Sequence, residues 1–316
     1  MKHQFRRDLF VVLSCLLEMR FQRCCLGKEI AGQLFMSRHP PYDNTIEIND
    51  YLKKYAYTIG LRRRDWAWEF LRRNPKFLVE AYANFMTVQR SMSCIADSKI
   101  LHLYERCPLA ETWGLMFFPN PDQPAPRADV YWLSGWDPAI VTMKVSKRNS
   151  GEIDEMKAVI DGCQIDVLRD FNGTEHLLTR GDYSSAQSIC SGMSLLHAKE
   201  PVRVDLDTRG PDRMHRAYDA YKLAEEILHP GPFKWTERTL RLRNALICLD
   251  TAAAGLSLRD AAEIIFGQAR VESEWSRHRR MRDRMRSYSR AGQSLADGGY
   301  RRLLQGGPLN VIETAS

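Results

Sequence analysis

Apolar positions along this chain keep a helical spacing in two regions and an extended one between them. In the first region Trp66 and Phe70 share a helix face with Arg73, and Trp68 and Leu71 occupy a neighbouring face. Asn74-Pro75 then reads as an N-cap followed by proline at the first helical position, where the missing N–H has no intrahelical partner to lose. Phe77, Leu78, Ala81, Tyr82, Phe85 and Met86 continue at i, i+1, i+4, i+5, i+8 and i+9. The pattern predicts a helical hairpin with a broad apolar face between Tyr51 and Arg90. From Trp113 the spacing changes. Trp113–Phe118, Val130–Leu133, Ile140–Val145, Gln164–Arg169, Glu175–Thr179 and Val202–Leu206 read as extended pieces, and Phe171-Asn172-Gly173 marks a hairpin turn. Between the first two pieces, Pro119–Pro126 holds four prolines and excludes regular structure. A helix is expected over Asp212–Leu228, ended by Pro230-Gly231-Pro232.

The third region is helical again. Leu242, Leu246, Leu249 and Ala253 form an amphipathic stripe ended by Gly255. Ser257-Leu258-Arg259-Asp260 is a capping-box pattern, a serine followed three residues on by an acid. It opens a short helix whose inner face is Leu258, Ala261, Ala262 and Ile265, closed by Gly267. After a segment with room for an extra turn around Val271–Trp275, Met281, Met285, Tyr288, Gly292 and Leu295 mark the seam of a last helix over about Ser276–Arg290, with Gly298-Gly299 as its stop. The order of long helix, short capped helix, glycine turn and final helix is that of a helix-turn-helix. The expected fold class is therefore α+β: an N-terminal helical hairpin, a small central antiparallel β region and a C-terminal helix-turn-helix domain. The expected division is an extension over 1–50, a Trp/Arg-rich part with strands over 51–147, a polar linker at 148–155, and a part over 156–316 holding the β-hairpin and the C-terminal helices. In the extension, Leu9–Leu17 resembles the apolar part of a signal peptide, but no small-residue cleavage site follows. At nine residues the run is also far short of the ~20 needed to span a bilayer.

Charge alters this picture at one place. The formal net charge is +7, and the window 270–302 alone contributes ten arginines against four acids, or +6. Nearly all the net charge thus sits on or beside the last predicted helix, which points to a polyanionic partner. The window has no lysine. A guanidinium fork grips phosphate and guanine edges with two bonds, which an ammonium cannot do. Arg277, Arg279, Arg280 and Arg282, near the helix start, are the expected base-edge contacts, and Arg284, Arg286 and Arg290 the phosphate contacts. Ser257 and Arg259, at the start of the preceding helix, are expected to lie across the DNA backbone. Trp66, Trp68, Phe70, Arg72 and Arg73 are the expected protein-interaction residues.

Candidate chemistry adds little. GxSxG, Walker A and HExxH patterns are absent, and the eight histidines are dispersed. The eight cysteines include no CxxC and read as reduced cytosolic thiols. No metal, no cofactor and no catalytic residues are expected. Asp205 and Asp207, at i and i+2, are the one carboxylate pair that a metal-dependent nuclease could use.

The motif RRDWAWEFLRRNP within 62–75, followed by WGL at 113–115, resembles the N-terminal domain of FseA-type activators of integrative and conjugative elements. LRLRNALICLDTAAAGLSLRDAAEIIFG at 240–267, EW at 274–275, MRDRMR at 281–286 and GGYRRLL at 298–304 resemble the domain those activators share with QseM-type antiactivators. The similarity spans roughly 51–304. It implies a cytoplasmic transcriptional activator that switches on the gene of a recombination directionality factor, and so excision and conjugative transfer. It also implies promoter DNA, RNA polymerase and a small antiactivator protein as partners, with no membrane. The residues and the resemblance together predict a DNA-binding transcriptional activator. The alternatives are a module that sequesters another regulator and, behind it, a DNA-processing enzyme.

Overall fold

The computed structural model describes residues 50–84, 89–92, 99–147, 164–194, 202–206 and 233–306. The expected helix at 212–228, the apolar run at 9–17, the linker at 148–155 and Asp207 lie outside these residues. In chain order the described helices are α1 (Asp50–Lys53), α2 (Arg63–Leu71), α3 (Pro75–Asn84), α4 (Pro108–Thr112), α5 (Glu237–Ala253), α6 (Leu258–Phe266), α7 (Gln268–Glu274), α8 (Arg279–Ser294) and α9 (Tyr300–Leu304). The strands are β1 (Gln89–Met92), β2 (Lys99–His102), β3 (Val141–Lys147), β4 (Gln164–Arg169), β5 (Glu175–Arg180), β6 (Ser185–Gly192) and β7 (Val202–Leu206).

These elements sort into two compact units, and each is discontinuous in sequence. One takes in Met86–Phe117 and Tyr131–Gly231; the other takes in Pro41–Phe85, Phe118–Val130 and Pro232–Ser316. The consecutive division at 51–147 and 156–316 is thereby corrected. α2 and α3 share a unit with the C-terminal helices.

In the β unit the strands form a seven-stranded sheet in the order β1-β2-β4-β5-β6-β3-β7. It is larger than the expected antiparallel region, and it is mixed. β4, β5 and β6 make an antiparallel meander, while β2 joins β4 and β3 joins β6 in parallel. Apolar alternation marks a strand but says nothing of its partner's direction, so the parallel pairs were invisible in the pattern. The β4–β5 turn is the one that Asn172-Gly173 predicts. Gly173 has φ +80°, and the Asp170 carboxylate accepts the N–H groups of Asn172 and Thr174 at 2.9 and 2.8 Å. Trp113–Phe118 and Val130–Leu133 are not strands; they share a single bridge, Leu115 to Trp132. The Trp132 N–H and C=O are instead both bonded by the Gln187 side chain of β6, at 2.9 Å each. Leu101, Leu103, Met116, Phe117, Tyr131, Leu168 and Leu178 form a buried core cluster of this unit.

The helical unit is organised on α2. This helix buries Trp66, Ala67, Trp68, Phe70 and Leu71, but also the charged Arg64, Asp65 and Glu69. The charges have partners. The proline-rich segment 118–130 closes turns of its own, with the Gln123 N–H donating to Asn120 and the Arg127 and Ala128 N–H groups to Pro124, and α2 supplies further partners for its backbone. Trp68 Nε1 donates to the Gln123 carbonyl at 3.0 Å, Arg72 to Pro121 at 3.3 Å and Arg64 to Val130 at 3.3 Å. Glu69 accepts the Ala125 N–H at 2.7 Å. Asn74 caps α3 as its sequence predicts, accepting the Lys76 and Phe77 N–H groups, and its Nδ2 donates to the Ala296 carbonyl at 3.0 Å.

The C-terminal helices close on this layer. α8 crosses α5 where Gly292 meets Ala245. A Cβ on Gly292 would lie 2.5 Å from the Ala245 carbonyl oxygen, so only glycine allows this approach. The expected stop at Gly298-Gly299 is a kink: Gly298 has φ +119°, and the chain resumes as α9 with Tyr300, Leu303 and Leu304 buried. The expected helix-turn-helix detail also changes. The helix that directly follows the Gly267 turn is the two-turn α7, anchored by buried Val271, and the arginine helix comes one element later.

Candidate nucleic-acid interface

α8 begins at Arg279, with His278 as its N-cap, rather than at Ser276. Its buried side is Met281, Met285, Ser287, Ala291 and Gly292. Arg279, Arg280, Arg284, Arg286 and Arg290 are all exposed. Apolar and charged positions are thus segregated around the helix, as the spacing predicts. Arg277 lies on the exposed turn just before it.

The acids on this face do little to neutralise it. Asp283 is shared between Arg279 at 3.2 Å and Arg286 at 3.0 Å. Pairs this exposed contribute little and are easily exchanged for another anion. His278 makes no side-chain cap bond, so the first N–H groups of α8 have no side-chain acceptor there. Arg279 and Arg280 add two cations to the positive end of the helix dipole, an arrangement that an incoming phosphate relieves.

Arg282 departs from the expectation. It is half-buried, and its Nε is enclosed without a hydrogen-bond partner. Among the expected base-edge residues, the exposed ones are therefore Arg277, Arg279 and Arg280.

The preceding helix shows the same division between engaged and available groups. The Ser257 hydroxyl accepts the Asp260 N–H at 3.2 Å and donates to the Asp260 carboxylate at 2.7 Å. That hydrogen bond, with the one from the Ser257 N–H, holds the Asp260 carboxyl below the ordinary range. Ser257 is spent on its cap and cannot bond DNA without losing it. Arg259 is exposed and pairs loosely with Glu263 at 3.1 Å. The extra turn expected around Val271–Trp275 is α7, which starts earlier, at Gln268; its single buried apolar residue, Val271, is too weak a signal to set its bounds. It presents Gln268 and Arg270 beside the arginine helix in sequence. Arg270 is bonded to Glu274 at 2.9 Å and lies 5.4 Å from the centre of the Phe266 ring.

The expected protein-interaction face is corrected. Trp66, Trp68 and Phe70 are 2%, 0% and 0% exposed, so they are core residues of the helical unit. Trp68 meets Phe77 edge-on at 5.7 Å. Arg72 and Arg73 turn inward as well. Arg72 and Arg73 reach Glu69 at 2.8 and 2.7 Å, and Arg73 also bonds Asp250, which takes the Tyr55 hydroxyl at 2.8 Å. Aromatic and arginine density alone cannot separate a docking face from a core that must pair a proline-rich strap.

No group of three or more His, Cys, Asp or Glu that could hold a metal ion occurs among the described residues. Cys107, Cys190 and Cys248 are free thiols, and burial pushes Cys248 up to about 12. No helix among the described residues is long and apolar enough to cross a membrane.

Comparison with known proteins agrees with this geometry. Residues 52–118 match a proteobacterial transcriptional regulator-like domain, and residues 201–305 match the DNA-binding domain of a T6SS transcription factor. The second match contains α5 to α9 and every arginine of the exposed face. No curated protein matches the chain. The two matches support a DNA-binding transcription regulator. Neither description names the activators of integrative and conjugative elements.

Proposed function

We propose that this protein regulates transcription by binding duplex promoter DNA through the exposed arginine face of α8, and that it acts by binding rather than by catalysis. The observation that carries this reading is the segregation on α8: an apolar seam fixes the helix while five arginines face solvent, inside the segment that matches a DNA-binding domain. Arg277, Arg279 and Arg280 are nearest the helix start and read base edges. Arg284, Arg286 and Arg290 hold phosphates. Arg259 of α6 and the polar face of α7 add backbone contacts.

The proposed target is the promoter of an excision gene of an integrative and conjugative element, from which the protein activates transcription in the cytoplasm with RNA polymerase, subject to a small antiactivator. The support is the pair of motifs, RRDWAWEFLRRNP within 62–75 and GGYRRLL at 298–304, in their usual order. A second target class, T6SS promoters, is favoured by the description of the matched DNA-binding domain.

A gel-shift titration of the purified chain on excision-gene promoter fragments, T6SS promoter fragments and random duplex separates these readings. Preferential retardation of one promoter class identifies the target. Equal, salt-insensitive behaviour on all three, or no retardation, sinks the DNA reading and turns attention to sequestration of another regulator.

A further inference from the structure

A second positively charged feature lies in the helical unit, lined by none of the α8 arginines. Leu61, Arg62, Arg63, Trp66, Arg238, Thr239, Leu242 and Leu303 line a half-open cleft of about 240 Å³. Leu303 of α9 completes the lining.

Two helices start at this cleft. Arg62 is the N-cap of α2 and Arg63 its first residue; Thr236 is the N-cap of α5 and Arg238 its second residue. First turns normally carry acids, because the dipole is positive there. Here both first turns direct arginines at the same opening. The nearby acids are engaged elsewhere. Asp65 accepts the Arg62 N–H at 3.1 Å, and Glu237 is bonded to Arg241. Among the described residues, Arg63 and Arg238 have no carboxylate partner. Burial, and then the charge of Arg63, pull the Arg238 guanidinium below its ordinary range; burial does the same to Arg62. Arg63 is seated against Gly306, where a Cβ would come within 2.3 Å of its guanidinium. The rest of the lining is Thr239, whose hydroxyl donates to the Thr236 carbonyl at 3.1 Å, and the largely apolar Leu61, Leu242, Leu303 and Trp66, whose indole Nε1 is buried without a hydrogen bond.

We propose that this cleft binds a small organic phosphate, its phosphoryl group held between Arg63 and Arg238 and its short apolar or aromatic body against Leu61, Leu242 and Leu303. Two helix starts and two arginine forks suit a phosphoryl group. The volume equals roughly eight waters of liquid at ~30 Å³ each, which fits a ligand on the order of ten heavy atoms. A concave site with leucine walls does not suit the convex backbone of a duplex.

Phenyl phosphate is the probe, titrated calorimetrically into the full chain without DNA. The outcome is therefore independent of whether α8 binds duplex. Saturable binding is expected, with inorganic phosphate at least about tenfold weaker because it leaves the apolar walls wet. The double variant Arg63→Ala/Arg238→Ala should weaken phenyl phosphate by roughly tenfold or more per arginine removed, whereas Arg284→Ala on α8 should leave it unchanged. If the double variant melts early, Arg238→Glu makes the same test at an exposed position by placing a carboxylate at the mouth. The proposal is overturned by an absence of saturation, by equal binding in the cleft variants, or by loss in Arg284→Ala. It is also overturned if the double variant loses affinity for random duplex as much as for phenyl phosphate, since the cleft would then be a DNA-backbone contact.

Discussion

Glu69 shows how one residue can organise a core. It is fully buried, yet it accepts from Arg72, Arg73 and the Ala125 N–H at once. Burial alone would raise its carboxyl; the two guanidiniums and the amide outweigh this and hold it below the ordinary range. A carboxyl depressed in the fold contributes stability above its unfolded value and loses that contribution as pH falls toward the folded one. Glu69→Gln should therefore destabilise the chain by about 3 kcal/mol at neutral pH, since it leaves buried cations underpaired. It should also flatten the fall in melting temperature between about pH 5 and pH 3. A parallel acid limb in both proteins would remove Glu69 from the account. The arginines of α8 are the opposite case, legible in the sequence because only their facing matters. Each step of four along Arg282, Arg286 and Arg290 advances about 40° around the helix, so the stripe drifts from the flank to the outside. This is why Arg282 is half-buried while Arg290 is exposed. Arg280→Ala should cost about 1–3 kcal/mol on the specific sequence and little on random duplex. Arg290→Ala should weaken both alike and lower the salt slope by about one. Titrations at several salt concentrations check the pair, and identical losses on both duplexes for Arg280→Ala would show that it holds a phosphate.

At the scale of elements, legibility followed the strength of local signals. α6 was readable to the residue: Ser257 caps it, Asp260 completes the box, and Ala261, Ala262 and Ile265 are buried. β4 and β5 were readable from Gly173 and the alternation around it. β6 was not, because its buried positions include Ser185 and Gln187, which are polar and carry no apolar period. Gln187 earns burial by bonding the Trp132 backbone, a partner distant in sequence that no local pattern reveals. β1 and β2, at four residues each, are too short to set a period. The packing of α6 gives its own test. Ala262 is fully buried beside Ile265, so Ala262→Phe should overpack the site and cost about 1–3 kcal/mol. Chemical denaturation measures this, and an unchanged midpoint would mean the inner face is looser than described.

At the scale of the molecule, the sequence misleads because the chain leaves the helical unit and returns to it. Segments 41–85 and 118–130 complete a unit whose remainder begins at 232. The contacts that bind these pieces are long-range: Asn74 to Ala296, Tyr55 and Arg73 to Asp250, and the buried faces of α2 and α9. Composition shifts mark where a chain changes character, not where it comes back. This changes what a C-terminal fragment can do. A fragment of 232–316 keeps α5 to α9 and every arginine of the exposed face, so on local signals alone it should bind DNA as a free-standing domain. It lacks α2, however, and with it Arg73, the partner of Asp250, and Asn74, the partner of the Ala296 carbonyl. Tyr300, Leu303 and Leu304 would lose the layer that buries them. Removing side chains this size from a core costs several kcal/mol, roughly 2–5 for each large residue, against a domain stability of about 5–15 kcal/mol. The fragment should therefore melt without a cooperative transition and bind duplex weakly and without sequence preference, while the full chain does both well. Circular dichroism melts and gel-shift titrations of the two proteins decide it. A fragment that melts cooperatively near the parent temperature and keeps its preference would show that α5 to α9 fold alone, and that α2 with its proline-rich strap is an accessory layer.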